Sequence, residues 1–225
     1  MYGYERKWLL LAELIEHYRI QGIDHFYLYI KDMDNYTFKL IKYYEKIGIA
    51  EVIRFREYND RPGQEWQLVG TQDCLQRSRH HSRYAIFQDL DERIVPAGDV
   101  KLRNLIKETM EISGKIAMIS FVGERVERTS RVPLEYKVLL MWVHHVEVYF
   151  PGYTGYELPP EKAILRHYRD LTRANLTRRL RPITHWFMYT KIGYPAKLMP
   201  LLYRQVETTL NQVYTVSNQT TNLNI

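Results

Sequence analysis

The sequence predicts an α/β fold centred on a parallel sheet. Segments of helical period alternate with short β-rich runs as far as residue 121, and an apolar, aromatic run, Tyr84–Gln88, ends abruptly in the acids Asp89, Asp91 and Glu92. Such alternation builds parallel strands joined by helical crossovers. In open sheets of this class, ligands bind just beyond the carboxyl ends of the strands. Residues two apart on a strand point to the same side, so Asp89 and Asp91 are expected to converge on one cation. Two convergent carboxylates are costly unless something positive holds them.

The elements follow in order. Glu5 to Gln21 places Trp8, Leu11, Ala12, Ile15 and Tyr18 at helical spacing, and Gly22 supplies a C-terminal stop. His25 to Ile30 alternates and is β-rich, which predicts a strand. Tyr36 to Lys46 returns to helical period through Phe38, Ile41 and Tyr44 and ends at Gly48. Ala50 to Phe55 is expected as strand, Trp66 to Arg79 as helix, Tyr84 to Gln88 as strand, Val100 to Ile112 as helix and Lys115 to Phe121 as strand. Beyond these, Lys137 to Val143 predicts a strand, Pro151 to Pro160 a Gly/Pro-rich loop and Ala163 to Arg166 a short strand. A basic run, Arg173 to Arg181, precedes an amphipathic helix around Ala196 to Val213, and the tail Ser217 to Ile225 is polar. Residues 1–170 therefore form the expected α/β domain, with 171–225 a basic helical extension.

The 225 residues are 45% hydrophobic, enough for a sizeable core. The net charge of +6 suits an anionic partner, although an excess of this size also fits an ordinary solvated surface. Cys74 is the only cysteine, which excludes a disulfide framework and a zinc-knuckle spacing. Its apolar helical setting reads as a buried thiol. The longest apolar runs, such as Trp8 to Ala12, are too short to cross a bilayer, and no signal peptide is visible at Met1. Three N-glycosylation acceptor sequences, at Asn35, Asn175 and Asn218, lean toward the secretory pathway.

Carboxylate oxygens are what hard cations such as Mg²⁺ or Mn²⁺ prefer, so Asp89-Leu90-Asp91 is a candidate metal site facing a diphosphate. The plainer alternative is a pair of strand-end acids beside Arg93. A haloacid-dehalogenase-type phosphatase also places a D-x-D after an apolar strand, with the first Asp as nucleophile. That pattern wants Thr or Val where this chain has Arg93, and a strand nearer the start of the chain. His167, after a short apolar strand, offers a neutral imidazole as third ligand or serves as a structural histidine. Of His144 and His145, at most one can face a given site. Asp73 and Arg77 stand four apart on a helix, either as an ion pair or with Arg77 aimed at a phosphate. The clusters Arg77–Arg83 and Arg173–Arg181 read as solvated surface, since no groove-reading motif accompanies them and no nucleic-acid partner is expected.

Several segments taken in order resemble glycosyltransferase family 92, most closely its nematode-type members. They are Trp8–Tyr18 with Gly22–Tyr29, then Gln72–Arg77 leading into Tyr84–Pro96, then Lys137 with Trp142–His145, and finally His167-Tyr168-Arg169. The resemblance implies a GT-A fold, a mixed and mostly parallel sheet flanked by helices, with a D-x-D motif binding a metal and a sugar nucleotide. It implies inverting transfer of galactose from UDP-galactose to a glycan acceptor, for instance the fucosylated core of an N-glycan. By the same resemblance Asp89 and Asp91 hold Mn²⁺, His167 completes its shell, and Arg77, Lys137 and His145 contact the diphosphate or donor along with Asp89. Glu124 is the first candidate for the base that deprotonates the acceptor hydroxyl, with Glu127 and Glu147 as substitutes. Relatives are expected in the Golgi membrane, anchored by a transmembrane segment and stem that this chain does not show. In that family a first strand would precede Met1, so the chain reads as an N-terminally shortened catalytic domain. The alternative reading is a non-catalytic carbohydrate- or protein-binding module.

Overall fold

The computed structural model describes residues 1, 3–58, 63–123, 130–133, 137–142, 145–168 and 194–215. Helix α1 (Trp8–Ile20), strand β1 (Phe26–Ile30), helix α2 (Asn35–Lys46) and strand β2 (Ala50–Arg54) follow in the expected order. Both helices stop where glycine takes a left-handed backbone, Gly22 at φ +88° and Gly48 at φ +77°. Ile23 N–H then reaches back to Tyr18 O (2.9 Å) and Ile49 N–H to Tyr44 O (3.2 Å), closing the last turn in the Schellman manner. Asp34 caps α2, accepting from Tyr36 N–H (3.0 Å) and Thr37 N–H (2.9 Å). Thr37 is itself buried, so the acceptor sequence at Asn35 has its hydroxyl facing inward. Asn175 and Asn218 lie outside the described residues.

The chain continues through α3 (Gly63–Ser78), β3 (Glu92–Pro96), α4 (Leu102–Glu111), β4 (Ile116–Phe121), β5 (Ser130–Pro133), β6 (Val138–Met141), β7 (Val146–Tyr149), β8 (Thr154–Leu158), β9 (Ala163–His167) and α5 (Met199–Tyr214). Strands β1 and β2 pair in parallel, and β4 lies between antiparallel β5 and parallel β8. The pairs β3–β9 and β6–β7 are antiparallel. The architecture is mixed α/β, and among the described residues its pairing is mixed rather than mostly parallel.

Two expectations need correction. Tyr84–Gln88 forms no ladder among the described residues, only Phe87 standing in a bridge; the strand is β3, which begins after the two aspartates. The run is apolar because Tyr84 and Ile86 pack on one core and Phe87 on another. The span Pro151–Pro160 contains β8, whose Gly155 lies so close to β4 that an added Cβ would come within 2.7 Å of Met118 Cε. The loop-like composition comes from Pro151, Gly152, Pro159 and Pro160, which flank the strand, and from Gly155, where a side chain would require Met118 and Tyr149 to shift.

Three apolar clusters form the interior. One joins α4, β3, β4, β8 and β9 around Ile94, Ile106, Ile119 and Phe121. A second joins α1, β1 and α2 with α5 through Leu11, Ile15, Leu40, Tyr44, Leu202 and Val206. The third, around Leu75 and Met141, seats α3 on β6. The helix expected in a C-terminal extension thus shares a core with the first two helices. The basic run Arg173–Arg181 lies outside the described residues.

Candidate functional site

The acids occupy a turn, not a strand end. Glu92 N–H donates to Asp89 O, and Asp89 N–H donates to Glu92 Oε2, both at 3.1 Å. Strand alternation therefore does not apply to the pair, and their carboxylates meet different partners. Asp89 Oδ1 accepts from Gln67 Nε2 (3.0 Å), near the start of α3. Asp91 Oδ2 lies 3.0 Å from His167 Nε2, with the side chains only 15% and 17% exposed. A carboxylate can only accept, so Nε2 carries the proton. The antiparallel pairing of β3 with β9 makes this contact, placing Glu92 opposite His167. Tyr168 N–H extends it by donating to Asp91 O (2.7 Å).

Buried polar groups hold the turn from beneath. Tyr18 donates its hydroxyl hydrogen to the Gln88 side chain and accepts from Ile94 N–H (2.9 Å). Arg93, 2% exposed, donates to the carbonyls of Leu90 (2.8 Å), Glu92 (2.7 Å) and Leu10 (3.0 Å). Burial lowers the pKa of this guanidinium. It is spent on backbone carbonyls, so it serves the shape of the turn. Behind β3, His17 Nε2 donates to Ile94 O (3.0 Å) while Nδ1 accepts from Tyr194 (2.7 Å). Burial drives the His17 pKa down to about 4.

Among the described residues no three His, Cys, Asp or Glu side chains form a ready metal cluster. Asp91 and His167 are the assembled pair, and Asp89 stands at the other side of the turn. Carboxylate oxygen with imidazole nitrogen is a donor set that suits Mn²⁺, so the residues present fit such an ion.

The other candidates are dispersed. Arg77 is ten residues along α3 from Gln67, about 15 Å at helical rise. There it bridges Asp73 (3.0 Å) and Glu51 (2.9 Å), while Tyr29 donates to the same Asp73 oxygen (2.5 Å). Lys137 is buried, donating to Gly114 O (2.8 Å) and Ile116 O (3.0 Å) at the start of β4, and burial lowers its pKa. His145 is half exposed and paired with Glu147 (2.6 Å). Glu124, Glu127 and His144 lie outside the described residues. Sequence reasoning missed Gln67 and Tyr18, whose roles arise only from packing across the chain.

Beside the turn lies a cavity of about 600 Å³. Its walls are Tyr27–Tyr29 of β1, Leu11 and Leu14 of α1, Trp66, Gln67, Gly70, Thr71 and Cys74 of α3, and Ile86–Leu90. Trp66 lines it with an indole N–H that is buried and finds no acceptor among the described residues.

A model of glycosyltransferase family 92 matches residues 1–137. The chain belongs to glycosyltransferase family 92. A β-1,4-galactosyltransferase of Caenorhabditis elegans, galt-1, is 35% identical over 111 residues, which is 47% of this chain and 25% of that relative. The chain thus spans about a quarter of the relative's length. The family match includes both aspartates of the turn, while His167 joins them from beyond it. Among the described residues, no helix is long and apolar enough to cross a membrane.

Proposed function

We propose that this chain carries the donor-binding part of a GT-A-type galactosyltransferase of the secretory pathway, with UDP-galactose as donor and a glycan hydroxyl as acceptor. Family membership supports the reaction class, and the name of the nematode relative supports galactose. The observation that carries the site is the Asp91–His167 pair, 76 residues apart in sequence and 3.0 Å apart in space, on a turn that also presents Asp89. Asp91, His167 and Asp89 are the residues that would hold a divalent cation such as Mn²⁺. Bound there, such an ion would offset charge on the departing diphosphate.

The rest of the chemistry belongs to side chains. Gln67 orients the Asp89 carboxylate, while Arg93 and Tyr18 keep the turn in one shape, as preorganised electrostatics require. In an inverting transfer the acceptor oxygen bonds to the anomeric carbon as the bond to UDP breaks, and a carboxylate takes the hydroxyl proton. Glu124 is the proposed base. Glu147, paired with His145, is the alternative the structure describes. Family membership replaces the phosphatase reading.

Turnover of UDP-galactose with Mn²⁺ tests the proposal through two variants. Asp91→Asn keeps an acceptor for His167 and should lose at least a hundredfold in activity while its Tm stays within a few degrees. His167→Gln should raise the Mn²⁺ concentration needed for half-maximal rate. Undiminished turnover by Asp91→Asn would remove the metal site from the account, and a loss confined to Tm would make the pair structural.

A further inference from the structure

The β6–β7 hairpin is buried on one face and exposed on the other. Val138, Met141 and Val146 belong to the third apolar cluster, and Phe87, two residues before Asp89, packs against that same cluster. Gln72 of α3 donates its side-chain amide to Met141 O at the end of β6. Gln72 stands five residues, about 7.5 Å at helical rise, from Gln67, which holds the Asp89 carboxylate. The tip of the hairpin is therefore fastened to the two segments that carry the acidic turn. Directly after Met141, Trp142 donates its N–H to His145 O (2.8 Å) and leaves half of its surface exposed. The His145 ring lies beside the indole, with centroids 6.4 Å apart and planes tilted by 32°, and Glu147 meets that imidazole at 2.6 Å. Leu140 and Val148, paired across the hairpin, continue the exposed apolar face away from the tip.

We propose that Trp142, His145 and Glu147 form the subsite for a sugar residue of the acceptor glycan, with the indole as its platform. A pyranose carries C–H bonds on its faces and hydroxyls round its edge. It can lie on an aromatic ring while its hydroxyls bond to polar groups at the ring's margin, here the carboxylate and the imidazole. Contiguous apolar surface left in water marks a binding face. The core of a protein interface is depleted in charge, whereas here the carboxylate and imidazole stand at the indole itself, which suits a sugar. Leu140 and Val148 extend the apolar surface under the neighbouring residue of the glycan. Seated there, the sugar brings a hydroxyl beside Glu147, the described alternative for the base. The inference rests on the glycosyltransferase reading for the word acceptor, but the sugar contact itself requires neither donor nor metal.

Nuclear magnetic resonance of the full chain tests the subsite, with the Trp142 indole N–H assigned by its loss in Trp142→Phe. Oligosaccharides ending in galactose, N-acetylglucosamine or fucose are titrated in at millimolar concentration, first alone and then with UDP and Mn²⁺. At least one should shift the Trp142 signal saturably, and Asp91→Asn should bind the sugar alone as the natural chain does. Followed on the sugar's own signals, binding should weaken at least tenfold in Trp142→Ala and at least threefold in Glu147→Gln, with Tm held within two degrees. Trp142→Phe, which keeps a flat ring, should fall between the natural chain and Trp142→Ala. A sugar shift in a chain that fails to bind UDP would leave the subsite standing and remove only the donor reading. No shift at Trp142 under either condition, or binding undiminished in Trp142→Ala, would overturn the subsite. Self-association abolished by Trp142→Ala, with no sugar shift, would also overturn it and make the face a protein contact.

Discussion

His17 shows how single buried polar groups fix the ground beneath the acidic turn. Its imidazole is fully buried, with one nitrogen on a carbonyl and the other on a hydroxyl. A protonated ring cannot accept from Tyr194. The folded pKa, near 4, lies below the ordinary 6.5, so the unfolded chain binds more protons between those values. Stability should therefore rise with pH across that window, by about 3 kcal/mol in all. Denaturant titrations at pH 4.5 and 6.5 should show a steeper rise for the natural chain than for His17→Gln; equal slopes would place the acid sensitivity elsewhere. At this scale the sequence was legible where chemistry is local. Two acids beside an apolar run announced a polar site, but Gln67 on Asp89 and Lys137 inside carbonyls follow from chain crossings that no spacing encodes.

Elements were read best where they carry their own stop signals. Helices α1 and α2 end at Gly22 and Gly48 because each needs a left-handed residue, and those glycines were visible in advance. Gly22→Ala should cost about 1–2 kcal/mol, since φ is +88° and the new Cβ would lie 3.2 Å from Arg103 Cβ. Asp34→Ala removes the α2 cap and should cost about 1 kcal/mol. Melting curves check both, and a change below a few tenths would contradict the end-capping argument. Strands were read less well because a strand is completed by its neighbour. Tyr84–Gln88 has the right residues but forms no ladder among the described residues, and β8 is hidden by the glycine and prolines that flank it on both sides.

At the scale of the molecule, one buried carboxylate ties the two ends together. Glu16 is fully buried, accepts from the hydroxyls of Tyr44 and Thr209 at 2.9 Å each, and pairs with Arg19 (2.9 Å). It therefore links α1 to α2 and to α5. Glu16→Ala would strand two buried hydroxyls and should cost about 3 kcal/mol, whereas Glu16→Gln keeps an acceptor and should cost less. Equal losses would show that packing, not hydrogen bonding, joins α5 to the core. A second long-range pairing, β9 antiparallel to β3, delivers His167 to Asp91, the contact on which the proposed function rests. Calorimetric titration of UDP into the chain with and without Mn²⁺ tests that function most directly. Saturable heat that requires Mn²⁺ and disappears in Asp91→Asn is the expected result; UDP heat that is the same without the metal, or that survives in Asp91→Asn, would contradict it.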